Sequence, residues 1–141
     1  MSIPFAPESR VRLPLRQRTL PLIAVVLAFG IARLPPRRIR TLLHLARRGA
    51  RSATAEQALA ARRAVVAVSA RCAGEGCLPR SLATALLCRA RGVWPTWCTG
   101  VRTDPFRAHA WVEAEGRPVG EPPTADHYHP IMTVPVRAEQ P

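Results

Sequence analysis

The sequence predicts an α+β fold in which helices occupy the chain up to Gly92 and strands follow it. Three observations lead to this class: apolar residues recur at helical spacing before Gly92, glycine or proline separates these periodic runs, and residue types typical of strands come next. At 141 residues, 48% of them hydrophobic, the chain is long enough to bury a core. We divide it into an arm with two helices at residues 1–52 and a core at residues 53–141, within one compact domain overall.

The N-terminal segment carries two predicted helices behind an irregular arm. Met1–Pro14 is rich in proline and lacks periodicity, so we expect it to be loosely held. A first helix is predicted over Thr19–Arg33, where two prolines stop it, and a second begins at Pro36. The second helix has one apolar stripe and ends at Gly49.

The most apolar stretch, Leu20–Ile31, is too short to span a membrane. Crossing a bilayer takes about 20 apolar residues, and this stretch is interrupted by Pro21 and Gly30. We therefore predict a buried helix and no stable membrane insertion. The arm before it has no apolar run of the kind found in signal peptides, so we expect a cytoplasmic location.

Two further helices are predicted on either side of a glycine-rich break. Thr54–Gln57 has the pattern of a capping box, and the helix that it starts is predicted to run to about Arg71. Ala73–Gly76 then interrupts the chain, and the next helix is predicted over Leu78–Arg91. Cys77 therefore lies at a helix N-terminus.

Three strands are predicted beyond the last helix, at Thr96–Arg102, Arg107–Ala114 and Arg117 to Gly120 or Glu121. The last two form a hairpin. Beyond them we expect an irregular tail, in which His127 and His129 flank Tyr128 in a surface loop and Thr133–Pro141 is loose.

The net charge of +12 arises from 21 basic and 9 acidic side chains, and every basic residue except histidine is arginine. The arginines are scattered along the chain rather than joined to a recognition helix or to stacking aromatics, so we do not expect a nucleic-acid partner. The charge also fits a solvated arginine-rich surface, or an acidic peptide or protein partner.

The four cysteines lie within one short stretch, at Cys72, Cys77, Cys88 and Cys98. We expect them to be reduced. No Cys-x-x-Cys pair occurs, so we predict no metal, although a zinc site that also uses His109, His127 and His129 stays open as an alternative.

Cys77 is the candidate nucleophile because of its place at a helix N-terminus. The free amides and the positive end of the helix dipole stabilise a thiolate, which is the reactive form of cysteine. The same amides, with Leu78 as the nearest, are candidates for holding the oxyanion formed by attack on a peptide carbonyl. Cys72, Cys88 and Cys98 are interpreted as buried structural residues.

His109, in the second predicted strand, is the candidate base. A three-residue loop, Ala114-Glu115-Gly116, would pair Glu113 with Arg117 and, counting outward, His109 with Glu121, so that Glu121 could hold the imidazole. A two-residue loop would place His109 and Glu121 on opposite faces. Glu113, on the face of His109, is the competing carboxylate, and we prefer Glu121.

The remaining candidate substrate contacts are Trp97, Trp111, Arg107 and Glu113, which lie on the predicted strands near His109. Tryptophans near a strand either close a core or line a peptide groove.

Four stretches carry a family resemblance, namely Cys77–Leu87, Gly100–Thr103, Pro105–Glu113 and Gly120–Pro122. They resemble the leader peptidases of lasso-peptide biosynthesis, a bacterial branch of the transglutaminase-like cysteine proteases. The resemblance covers about residues 53–134. It implies N-terminal helices followed by a transglutaminase-like or papain-like core, with the cysteine at a helix N-terminus packed on a small antiparallel sheet. The catalytic residues that it implies are Cys77, His109 and Glu121, and glutamate at position 121 departs from the aspartate usual in the family.

The resemblance further implies a leader peptidase that acts on a ribosomally synthesised and post-translationally modified peptide, in antibiotic biosynthesis, and that needs no cofactor. The implied partners are the leader of the precursor peptide, a small winged-helix protein that binds this leader, and an ATP-dependent lasso cyclase. The region before Thr54 lacks the strands of a winged-helix domain, so we expect the protease half of a split pair. A non-catalytic module that binds zinc, a peptide or nucleic acid is the alternative.

Overall fold

The computed structural model describes residues 12–122 and 127–137. Of the segments interpreted above, most of the Met1–Pro14 arm, residues 123–126 and the last part of the tail lie outside these ranges. The described helices are α1 (Leu15–Ile31), α2 (Pro36–Ala46), α3 (Ala55–Val68), α4 (Ala70–Ala73) and α5 (Cys77–Ala90). The described strands are β1 (Arg51–Ser52), β2 (Val93–Trp94), β3 (Thr96–Thr103), β4 (Phe106–Ala114), β5 (Arg117–Pro118) and β6 (His129–Val134). The predicted α+β class is confirmed.

Helix α1 is buried on one face only, which corrects the prediction of a buried helix. It packs against α5 and α3 through the side chains of Pro21, Ala24, Val25 and Ala28. Its opposite face exposes Leu22, Ile23, Val26 and Leu27. Within the two described ranges, no helix has both the length and the hydropathy needed to cross a membrane.

Helix α3 begins with the capping box that its sequence predicts. The Gln57 amide donates to the Thr54 hydroxyl at 3.1 Å, and the Thr54 amide donates to the Gln57 side chain at 2.9 Å. The helix ends at Val68 rather than at Arg71, because Ser69 is extended and its hydroxyl caps α4 by accepting from the Cys72 amide at 3.3 Å. A local hydrogen bond therefore breaks a run whose apolar periodicity continues.

The main sheet has four antiparallel strands in the order β5-β4-β3-β6, and β1 and β2 form a separate parallel pair. Helix α5 packs against β4 and β3, and the core lies between them. Strand β6 was missed by the sequence analysis, which expected Thr133 and Val134 in a loose tail and His129 in a loop. The Val134 side chain is fully buried, and its carbonyl accepts from Trp94 Nε1 at 3.0 Å, so contacts from elsewhere in the chain order this strand.

The β4–β5 hairpin has a two-residue loop, so the predicted three-residue loop is wrong. Ala114 pairs with Arg117 and Glu113 with Pro118. Glu115 and Gly116 both take positive φ, 55° and 76°, as in the tight turns whose twist matches that of the flanking strands. Consequently the predicted pairing of Glu113 with Arg117, and of His109 with Glu121, does not occur in the ladder.

Strand β5 is also shorter than predicted. The last hydrogen bond from this segment to β4 runs from the Val119 amide to the Val112 carbonyl at 2.9 Å. Gly120 then takes a positive φ of 68°, and the chain leaves the sheet. The edge of β4 beyond Val112, toward His109, is therefore not covered by β5.

Candidate active site

The N-terminus of α5 presents Cys77, and the loop before it is tied down by Arg80. The Arg80 guanidinium is buried, and it donates to the carbonyls of Cys72 at 3.0 Å and Gly74 at 3.1 Å. Two orphan carbonyls of the loop are thus satisfied by a side chain one turn into the helix that the loop precedes. The loop that precedes Cys77 is consequently held against the first turn of α5.

Gly76 closes this loop by a tight backbone contact. Its amide donates to the Arg71 carbonyl at 2.9 Å, and a Cβ at this position would lie 2.6 Å from the same oxygen. A larger residue does not fit without moving the end of α4. The glycine before Cys77 is therefore required by close approach of two backbone segments.

The Cys77 sulfur lies at the open edge of β4. Its sulfur accepts from the backbone N–H of Ala110 and is hydrogen-bonded to the side chain of His109. Because alternate residues of a strand direct their amides to the same side, Ala110 faces the side on which Val112 bonds to Val119. Because β5 ends before this point, the Ala110 amide is not hydrogen-bonded to β5. The Cys77 sulfur accepts its hydrogen bond instead.

His109 links Cys77 to a carboxylate. Its Nε2 lies 2.9 Å from Glu121 Oε2, so the other ring nitrogen, Nδ1, is the one turned to the sulfur. The side chain of Glu121 is 4% exposed and that of His109 is 17% exposed. The contact with Glu121 is predicted from the sequence, but through a cross-strand pair. The contact arises instead from the turn at Gly120, which carries the chain out of the ladder and back toward His109.

Two aromatic rings flank the imidazole. The ring of Trp111 stacks on His109 at a centroid distance of 5.9 Å and an interplanar angle of 13°, and that of Tyr128 lies at 5.2 Å and 37°. The Trp111 Nε1 donates to Glu113 Oε1 at 3.0 Å, and the Arg102 guanidinium lies 5.6 Å above the Tyr128 ring. These contacts restrict rotation of the His109 ring.

The electrostatics of the site favour a thiolate beside an imidazolium. Burial acts to raise the pKa of the Cys77 thiol, but hydrogen bonds from His109 and from the Ala110 amide outweigh it, helped by the charges of His109 and Arg80, so the pKa is lowered. Burial likewise acts to lower the pKa of His109, but hydrogen bonds to Cys77 and Glu121 and the charges of both raise it to about 9. Near neutral pH each group therefore stabilises the charged form of the other.

The other cysteines have the opposite character. Burial raises the pKa of Cys72, and it raises the pKa of Cys88 and of Cys98 to about 12. All three are buried and free, whereas Cys77 is partly exposed. Among the four cysteines, Cys77 is the one that combines access with a stabilised thiolate.

The remaining candidate substrate contacts differ in their burial and in their hydrogen-bond partners. Trp97 is 1% exposed and donates from Nε1 to the Ser81 hydroxyl at 3.0 Å, so it lies in the core and cannot line a groove. Trp111, which stacks on His109, is 3% exposed, and Glu113 is hydrogen-bonded to the Trp111 indole. Both residues therefore support the position of the His109 ring. Arg107 is exposed and pairs with Arg102 across the β3–β4 ladder.

Leu78 is half-buried directly beside Cys77. The Cys77 amide is engaged with the Glu75 carbonyl at 2.8 Å, and Pro79 has no N–H to offer. No described residue accepts a backbone hydrogen bond from the Leu78 amide. The Leu78 amide is thus the backbone donor in the first turn of α5 that lies next to Cys77 and has no described backbone acceptor.

Three buried or packed residues of the site were missed from the sequence. Arg62 and Arg80 are not among the predicted site residues, although each lies on the buried face of its helix, Arg62 four residues after Ala58 and Arg80 four before Thr84. This spacing was the signal that could have found them. No local pattern pointed to Tyr128, because its contact with His109 depends on the position of β6.

The described part of the chain contains no group of three or more histidine, cysteine, aspartate or glutamate side chains arranged to hold a metal ion. In particular, none of the four cysteines forms a disulfide.

Comparison with protein families finds a match, over residues 21–133, to a model described as the transglutaminase-like superfamily. The matched range contains Cys77, His109 and Glu121, and this superfamily includes cysteine proteases. Comparisons with curated proteins and with solved structures find no match.

Proposed function

Since the chain belongs to the transglutaminase-like superfamily, we propose that it is a cysteine endopeptidase that removes the leader from a lasso-peptide precursor. The observation that carries this proposal is the continuous line of contacts from the Cys77 sulfur to the His109 ring and on to Glu121. The substrate class rests on the resemblance of the residues around Cys77 and His109 to the leader peptidases.

The first half of the proposed reaction forms a thioester. The Cys77 thiolate attacks the carbonyl carbon of the last leader residue, and the peptide oxygen takes the negative charge. His109, as imidazolium, then donates its proton to the leaving nitrogen, and the C–N bond breaks. The core peptide leaves with a free N-terminal amine, and the leader remains bound to the sulfur.

The second half is hydrolysis. The neutral His109 takes a proton from water as the water oxygen attacks the thioester carbonyl, and the sulfur leaves as thiolate. Glu121 accepts a hydrogen bond from His109 Nε2, which keeps Nδ1 directed at the sulfur. The imidazolium is restored, so that the enzyme is ready for another cycle.

The Leu78 amide is proposed as a donor to the oxyanion. Its place next to Cys77 at a helix N-terminus, together with the engagement of the Cys77 amide by Glu75, supports this assignment. A backbone donor aimed at a developing oxyanion contributes about 100-fold to 1,000-fold in kcat in proteases of this general mechanism.

The proposed partners follow from the substrate. A separate winged-helix protein would bring the leader, and an ATP-dependent lasso cyclase would use the amine that cleavage frees. The charge of +12 suits an acidic partner surface. Because the proposed chemistry uses only side chains and water, no cofactor is assigned.

The test is cleavage of the precursor peptide encoded nearby, in the presence of its leader-binding protein, followed by mass spectrometry. One cut at the junction of leader and core, with a water added to the leader, is expected. Cys77→Ala and His109→Ala should each abolish the cut while still binding the partner, and the matched control Cys98→Ala should keep it. Full activity of Cys77→Ala would end the proposal.

A further inference from the structure

Arg62 is a buried cation next to the carboxylate that contacts His109. The residue lies on α3 and is 5% exposed. Its Nη2 is 3.9 Å from Glu121 Oε1, and the two side chains are 6% and 4% exposed. The other oxygen of the same carboxylate, Oε2, is the one bonded to His109. Each oxygen of Glu121 therefore faces a different positive or protonated group.

The backbone that delivers Glu121 rests on the same guanidinium. A Cβ at Gly120 would lie 2.6 Å from Arg62 Cδ, 2.8 Å from Nε and 3.1 Å from Cζ. Gly120 also has a φ of 68°, a conformation that glycine adopts without steric cost. The turn that takes the chain out of the sheet is thus packed directly on Arg62.

The position of Arg62 has a physical consequence for the buried Glu121 carboxylate. A carboxylate buried as deeply as that of Glu121 loses most of its hydration, and the loss is offset only by nearby positive charge and hydrogen bonds. His109 supplies a positive charge only while both ring nitrogens are protonated, and in the proposed reaction it gives up the Nδ1 proton, after which only the neutral Nε2–H donates to Glu121. Arg62 stays charged throughout, so it can hold the carboxylate while His109 changes state.

We propose that Arg62 is a positioning residue that, acting through Glu121, holds the carboxylate against His109. The inference deepens the proposed function, because orientation of the imidazole matters for acid–base chemistry, but the arrangement itself can be tested without any substrate. A purely structural arginine would alter the stability of the fold and leave the titration of His109 unchanged.

The charged and titratable groups around His109 come from several elements. Cys77 faces it from α5, Glu121 from the turn after β5, and Tyr128 from the segment before β6. Behind these groups, Arg80 acts on Cys77 and Arg62 lies against Glu121. Glu113 lies on β4 and is bonded to Trp111. Arg62 faces one oxygen of Glu121 and His109 contacts the other, so replacement of Arg62 tests its effect on His109 through this carboxylate.

The experiment is a pH titration of the His109 ring by NMR, with its resonances assigned from the spectrum of His109→Asn. We expect a midpoint of about 9 in the parent protein. Removal of the Arg62 charge alone would raise this midpoint, because the Glu121 carboxylate would then attract the imidazolium without a competing cation. In Arg62→Gln we expect the midpoint instead to fall by about one pH unit, because Glu121 is no longer held against the ring. The control Arg63→Gln removes the neighbouring, exposed arginine of α3, and we expect no change. A midpoint in folded Arg62→Gln that is unchanged or raised would overturn the inference.

If Arg62→Gln does not fold, a second variant tests the same inference. The double variant Arg62→Gln/Glu121→Gln removes both buried charges and leaves neither unpaired. Recovery of a cooperative thermal transition in this variant supports the inference, because it shows that Arg62 serves the carboxylate. A double variant that is still unfolded makes Arg62 a structural residue and overturns the inference. A parent protein that shows the His109 shift but never cleaves a precursor would refute the proposed function alone.

Discussion

The Cys77 sulfur accepts a hydrogen bond from the Ala110 amide, at the edge of β4 where β5 has already ended. Two parts of the fold thereby meet at one atom, the N-terminus of α5 and the uncovered edge of a strand. The neighbouring residue on this strand is His109, so the contact with Ala110 also sets the distance between thiol and imidazole. The chemistry of the site depends on where a short edge strand stops.

Cys77 should be the first cysteine to be alkylated in the folded protein. Its thiolate is stabilised by His109, whereas burial raises the pKa of Cys72, Cys88 and Cys98. We expect one equivalent of iodoacetamide to modify Cys77 alone at pH 7, as read by peptide mass spectrometry. In His109→Ala the rate at this pH should drop by about tenfold or more, because the stabilising cation is lost. Equal labelling of Cys98 would contradict this view of the site.

Cleavage activity should have an alkaline limit set by His109. The proposed active form carries a thiolate and an imidazolium, so it exists above the pKa of Cys77, which is lowered, and below that of His109, about 9. We expect kcat/KM to fall as the pH rises through about 9. In Glu121→Gln the hydrogen bond and charge that raise the His109 pKa are weakened, so the fall should begin at lower pH. An alkaline limb in the same place in both proteins would contradict the role of Glu121.

Gly120→Ala should damage the site more than a matched glycine replacement elsewhere. The new Cβ would meet the Arg62 side chain at 2.6 Å, and it would also strain a positive φ. Gly92→Ala is the control, since Gly92 has a φ of 86° but open space around its Cβ. Both variants should lose about 1 to 2 kcal/mol of unfolding free energy from the left-handed backbone, measured by urea denaturation. Only Gly120→Ala should also reduce kcat/KM, by about tenfold or more, because Glu121 is displaced. Equal activity of the two variants would speak against this role of the turn.

Leu78→Pro should reveal the oxyanion donor. Proline is tolerated in the first turn of a helix, and the substitution removes the one amide hydrogen next to the sulfur that has no described backbone acceptor. We expect kcat to fall by about 100-fold with little change in alkylation of Cys77. Leu78→Ala keeps the amide and should stay near the parent rate. Parent-like turnover of Leu78→Pro, with its fold checked by circular dichroism, would exclude this amide.

Much of the helical part of the fold was predictable because its signals are local. The capping box at Thr54, the start of α2 at Pro36 and the start of α5 at Cys77 each depend on residues within one turn of the feature they define. The predicted bounds of β3 and β4 were also close to the observed ones, because residues with high β propensity are concentrated in both strands. Errors appeared at element ends, as at Ser69, where a side-chain cap overrides apolar periodicity.

The hairpin shows how a correct contact can follow from a wrong register. Glycine at position 116 suggested a three-residue loop, but Glu115 also takes a positive φ and the loop has two residues. In an uninterrupted ladder this register would direct Glu121 away from His109. The turn at Gly120 reverses that outcome, and nothing in the local sequence specifies where such a turn will lead.

The sequence by itself determined the α+β class and the placement of one cysteine at a helix N-terminus, because periodicity and capping act over a few neighbouring residues. Tertiary structure alone decided that Glu121 reaches His109, that Arg62 packs against Gly120, and that the Tyr128 ring lies against the imidazole. These relationships join segments far apart in the chain. They exist because the packing of α3, α5 and the sheet brings those segments together, and each contact is stable only when the others are in place.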